Sequence, residues 1–144
     1  MEENDTLLAT PKAIEKDLSS SDRRVLGAIR RRRDLESSAV WIRTGHVVKT
    51  LEHALEYGRP ATPASRPDRP FIRVATWNIQ RGKNLDGIKE FLTTAPDLAG
   101  IDVLMLNEVD LGMARSENRH VAKEIAEALG FEYVFGNSYV CLDF

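Results

Sequence analysis

The spacing of apolar and polar positions changes character along this chain. In the first part, apolar residues recur at helical intervals. Ser20, Ser21 and Asp22 are N-cap candidates for a helix through about Leu35, with Val25, Leu26, Ile29 and Leu35 as a partial apolar stripe. Val47, Val48, Leu51, Ala54 and Leu55 predict a second helix over roughly 45–57. Gly58 sits where a C-terminal cap belongs, and Pro60 forbids continuation. From residue 71 the spacing alternates between strand and helix. FIRVATWNI (71–79) is β-branched and aromatic, as strands are. LDGIKEFLTT (85–94) predicts a short amphipathic helix with Leu85, Ile88 and Leu92 on one side. IDVLMLNEV (101–109) is apolar at both alternating sets of positions, the pattern of a strand covered on both faces. Ser116 can cap the next helix, which is striped by Val121, Ile125, Ala128 and Leu129 and ended by Gly130; FEYVF (131–135) predicts a third strand.

This order predicts a layered α/β or α+β domain, taken as α+β, preceded by a mainly helical segment. Between the two lies RPATPASRPDRP, whose Pro60, Pro63, Pro67 and Pro70 suppress helix and leave an extended linker. The predicted organisation is a helical segment over 1–58, a Pro-rich linker over 59–70 and an α+β domain over 71–144. Charge divides near the same boundary. Residues 1–70 hold 13 Lys+Arg and 11 Asp+Glu, net +2, and residues 71–144 hold 7 and 11, net −4.

Composition removes several classes. With 42% hydrophobic residues and an overall charge of −2, the 144-residue chain is neither histone-like nor disordered along its whole length. MEEND is not the basic, then apolar start of a secretory signal. No apolar run approaches the roughly 20 residues of a membrane helix. Cys141 is the single cysteine, which excludes an intrachain disulfide and a cysteine-based metal cluster. A cytoplasmic protein is expected.

The stretch from Ile79 to Gly100, 22 residues including a helix, is long enough for a crossover between parallel strands. Parallel strands would place their carboxyl ends on one sheet edge, where ligands of open α/β sheets gather. Asn78 and Glu108 occupy those ends, each after an apolar run. A Glu carboxylate suits Mg²⁺ or Mn²⁺, and an Asn amide can orient a carboxylate, water or phosphate oxygen without adding charge. The plainer alternative is an Asn in a turn and a Glu at an exposed strand end.

TWNIQRG (76–82) followed by DVLMLNEVD (102–110) resembles the endonuclease/exonuclease/phosphatase superfamily, over about residues 71–136. In that family the first strand ends in a WN or YN motif, and a later apolar strand ends in a Q-E or N-E pair that binds metal. The resemblance maps the family's Asn onto Asn78 and its metal-binding Glu onto Glu108. It implies the amino-terminal part of a four-layer α/β-sandwich and metal-assisted hydrolysis of a phosphoester. Glu108 and Asn78 would be the catalytic and metal-site residues, the cofactor Mg²⁺ or Mn²⁺, and the substrate a nucleic acid, a lipid or a small phosphoester. The family completes its site with a later Asp-x-Asn pair and a carboxyl-terminal Asp-His pair, and neither occurs here. The chain therefore reads as an amino-terminal fragment of a phosphoesterase, expected to be inactive alone.

Other residues carry weaker signals. Arg115, Asn118 and His120, in GMARSENRH, are candidate phosphate contacts at a helix start, or simply a solvated turn. Arg81 and Lys83 could face phosphate from the loop after Asn78, though a solvated loop is the plainer reading. Asp110 could support a metal at one remove or stand in a surface turn. Arg30–Arg33 offers an alternative function, a nucleic-acid- or partner-binding module. On one continuous helix those arginines would point around the whole cylinder.

Overall fold

In a computed structural model of the chain, the structure describes residues 18–65 and 68–138. Pro67, Cys141 and the rest of the last six residues lie outside the described residues. The chain divides into two compact units, one built from residues 18–57 and 134–138, the other from 58–65 and 68–133.

The first unit is three helices and a short sheet. Helix α1 (Ser20–Ala28) is capped by the Ser19 hydroxyl, which accepts the Asp22 N–H at 3.1 Å. The cap is one residue earlier than the sequence suggests, because Ser19 rather than Ser20 takes the extended backbone a cap needs. The helix also stops short of Leu35. Ile29 and Arg31 are extended, and a separate helix α2 covers Arg32–Glu36. Helix α3 (Ala39–His53) starts at the Ser38 cap and buries Val40, Thr44, Val47, Val48 and Leu51, an i, i+4, i+7, i+8, i+11 stripe. With Leu18, Leu26 and Ala54 the apolar members of this stripe form the unit's core, flanked by Ile29, Leu35 and Trp41. Each fully buried Val or Leu contributes about 1.5–3 kcal/mol.

The predicted second helix fails at its carboxyl end. Leu55–Gly58 is strand β1, paired with β4 (Tyr133–Gly136). Gly58 is there for space, not for capping, since a Cβ would run into the Tyr133 ring. The third predicted strand exists, but it pairs with β1 rather than extending the other sheet.

The second unit is built on a parallel pair. Strands β2 (Val74–Asn78) and β3 (Val103–Asn107) run in register from Val74↔Val103 to Asn78↔Asn107. Helix α4 (Leu85–Thr94) connects them, and helix α5 (Val121–Leu129) packs beside α4. Both helices turn apolar faces inward. Leu85, Ile88, Leu92, Val121 and Ile125 are buried with Ile79, and Leu104 and Leu106 pack against them from β3. Trp77 meets Phe91 edge-on at 5.5 Å. At the amino ends of the strands, the buried Asp102 carboxylate accepts the Arg73 N–H at 2.7 Å and the Arg69 guanidinium at 2.5 Å. Arg69 and Ala64, whose N–H donates to Gly130 O, hold the described part of the Pro-rich segment on this unit.

One expectation for β3 is overturned. Val103, Met105 and their β2 neighbour Val74 are 39%, 52% and 50% exposed, so one face of the pair is covered and the other is not. The described strands form two two-stranded sheets, an α+β arrangement.

Candidate functional site

The register puts the two singled-out residues side by side. Asn78 ends β2 opposite Asn107, and Glu108 follows Asn107 directly. The ladder continues one step further, with the Ile79 N–H donating to Asn107 O at 3.2 Å and the Arg81 N–H to Glu108 O at 2.7 Å. Both polar residues therefore leave the same edge of a rigid parallel pair, the edge on which open sheets bind ligands.

The backbone at this edge is unusual. Gln80, Arg81 and Gly82 have consecutive positive φ values of 48°, 71° and 74°, and Glu108 has φ 53°. Left-handed conformations in non-glycine residues persist where the surroundings over-determine them. Here two fixings are visible. The Asn78 side-chain oxygen accepts the Gln80 N–H at 3.0 Å, closing an Asx turn. Gly82 is pressed against the fully buried Val121, where a Cβ would lie 2.7 Å from both γ-methyl groups. The result aims the Glu108 carboxylate outward, 47% exposed, with Arg81 Nε 3.9 Å from Oε2.

Asp110 does not stand in a surface turn. It is buried, 4% exposed, and accepts two bonds from the Arg115 fork at 2.7 and 2.8 Å and one from the Ser116 hydroxyl at 3.2 Å. Burial pushes its pKa up, but the Arg115 and Ser116 contacts outweigh burial and hold the carboxyl below its usual range. Around this clamp, residues 110–120 close into a loop. Leu111 bridges His120, and Ala114–Ser116 forms a 3-10 turn followed by left-handed Glu117 and Asn118.

The phosphate candidates lie in this loop with internal roles. Arg115 grips Asp110. The Asn118 N–H donates to Met113 O at 2.9 Å. His120, not Ser116, caps α5, its Nδ1 accepting the Lys123 N–H at 3.3 Å while the ring meets Tyr133 edge-on. Next to it, Arg119 ties α5 to α4 through Glu124 and Asp86, with Lys89 joining both carboxylates. Arg119 and Lys89 hold Asp86 down to about 2, and Arg119 lowers Glu124 as well.

Among the described residues, no three His, Cys, Asp or Glu side chains gather into a metal-binding group. A cation at this edge would have the half-exposed Glu108 carboxylate as its charged ligand, with Asn78 ending the adjacent strand. That set fits a hard cation that keeps most of its water. No described helix is long and apolar enough to cross a membrane. The comparisons add no relatives, since no family model, curated protein or solved structure matches the chain.

Proposed function

We propose that this chain carries the cation-holding edge of a metal-dependent phosphoester hydrolase of the endonuclease/exonuclease/phosphatase type, acting in the cytoplasm. The observation that supports this best is the parallel β2–β3 register, which brings Asn78 and Glu108 to adjacent carboxyl ends although 30 positions separate them in the chain. In this reading Glu108 holds Mg²⁺ or Mn²⁺. Asn78 braces the turn beside it through its side-chain oxygen and leaves its amide N–H groups for a water or phosphate oxygen. The cation, when bound, supplies charge neutralisation on the phosphoryl oxygens and the leaving group. The left-handed backbone at Gln80, Arg81 and Glu108 is the kind of strain that gathers at ligand sites.

Calorimetric titration tests the proposal. With one carboxylate ligand, Mg²⁺ should bind in the millimolar range. Glu108→Gln, which keeps size and removes charge, should abolish the heat, and Asn78→Ala should weaken binding only a few-fold. Binding that Glu108→Gln leaves intact would overturn the assignment.

A second reading has an observation of its own. The helix break at Ile29–Arg31 removes the objection that Arg30–Arg33 must point around one cylinder. All four are exposed, and among the described residues Arg32 and Arg33 find carboxylates on their own short helix. This reading makes the first unit a nucleic-acid-binding module. Binding to DNA or RNA that falls steeply with salt, and survives Glu108→Gln, would favour it over hydrolysis.

A further inference from the structure

We infer that Arg81 is the phosphate-contacting side chain of the β2–β3 edge: it screens Glu108 when no cation is bound, and turns to a phosphate oxyanion when a divalent cation takes that carboxylate. The inference rests on the cation reading of Glu108 and names the residue that would make the site selective for phosphate.

The geometry separates how the Arg81 backbone is held from how its side chain is held. The backbone is fixed by its 2.7 Å bond to Glu108 O, by the Asx turn at Asn78 and by the packing of Gly82 on Val121. The guanidinium is held by charge alone, toward Glu108 and toward the buried Asp110 carboxylate. Its Nε stands 3.9 Å from Glu108 Oε2, beyond hydrogen-bond range, and the side chain is 42% exposed. Such a pair is a weak one that a competing charge can part. The neighbouring arginines are engaged elsewhere: Arg115 forks onto Asp110, and Arg119 onto Glu124 and Asp86. Arg81 thus combines a fixed origin with a planar donor fork that is available at the edge where a phosphate would arrive. Arginine forks match phosphate oxygens two at a time. The left-handed φ of 71° accounts for this placement, because it turns the chain at Arg81 back toward the end of β3.

Mn²⁺ alone and inorganic phosphate are the probes, applied to the full chain. Arg81→Gln should tighten Mn²⁺ binding about threefold, since a surface charge pair no longer competes. It should weaken phosphate binding in the presence of Mn²⁺ about tenfold, as expected for a lost charge-assisted fork. Arg81→Lys, which keeps the charge without the fork, should restore parental Mn²⁺ affinity but only part of the phosphate affinity. Lys83→Gln removes the same charge from an exposed position in the same loop and should change neither constant by more than about twofold. Equal effects of Arg81→Gln and Lys83→Gln, or unchanged phosphate binding in Arg81→Gln, would overturn the role of Arg81. If Glu108→Gln leaves Mn²⁺ binding unchanged, the cation reading falls and the inference with it. If Glu108→Gln abolishes Mn²⁺ binding while Arg81→Gln changes nothing, the inference alone falls.

Discussion

Gly82→Ala is expected to destabilise the chain by about 3 kcal/mol, from two independent causes. At φ 74° an L side chain meets the left-handed penalty, about 1–2 kcal/mol. The added methyl also lands 2.7 Å from both γ-carbons of Val121, a side chain with 0% exposure, and overpacking of this kind costs about 1–3 kcal/mol. Urea denaturation followed through Trp77, in a Trp41→Phe background, measures the loss. Combining Gly82→Ala with Val121→Ala should cost clearly less than the sum of the single changes, because the second substitution removes the clash but not the backbone strain. A Gly82→Ala loss under about 0.5 kcal/mol, the range of ordinary surface changes, would mean that the turn beside Glu108 is not held as described.

Arg115→Ala should cost about 2–3 kcal/mol. The loss leaves the Asp110 carboxylate buried with, among the described residues, the Ser116 hydroxyl as its remaining side-chain donor, and the partial exposure of Arg115 keeps the figure below that of a fully buried pair. The pH dependence carries a sign that identifies the cause. In the parent chain Asp110, Asp86 and Glu124 all have folded pKa values below their ordinary ones. Their stabilisation is therefore fully present above roughly pH 4–4.5 and is lost as pH falls toward 2. In Arg115→Ala, burial is left as the largest influence on Asp110, opposed by the smaller effects of the Ser116 bond and the Arg81 charge, so its pKa rises and the folded state takes up the proton first. Relative to the parent, Arg115→Ala should then gain stability as pH falls from 7 to 5. The ratio of urea midpoints at those two pH values decides the matter.

The sequence was most legible where local pattern and packing agree. Leu85, Ile88 and Leu92 mark one face of a helix that runs from Leu85 to Thr94, as expected, because that face is the one covered. The two apolar strands lie inside their predicted bounds, and the length of the segment between them anticipated the parallel pairing that unites Asn78 with Glu108. Legibility failed where distant residues decide. Leu55 continues a helical stripe, yet it belongs to a strand because its partner, Tyr133–Gly136, lies far along the chain. Ser116 looks like a cap, but its hydroxyl is drawn to Asp110, and the chain reaches helical geometry only after His120. Asp110 itself, a carboxylate between Val109 and Leu111, was the available clue to that buried clamp. The left-handed run at Gln80–Gly82 has a single glycine to announce it, and part of what fixes it, the packing of Gly82 on Val121, comes from a distant helix.

Paramagnetic broadening by Mn²⁺ locates the cation directly. In amide spectra of the full chain at substoichiometric Mn²⁺, the signals of Gln80, Arg81, Glu108 and Val109 should fade first, and Glu108→Gln should leave them sharp. If the first signals to fade are instead those around Asp86 and Glu124, or if Glu108→Gln fades like the parent, then no cation is held at the β2–β3 edge and the hydrolase reading has lost its footing.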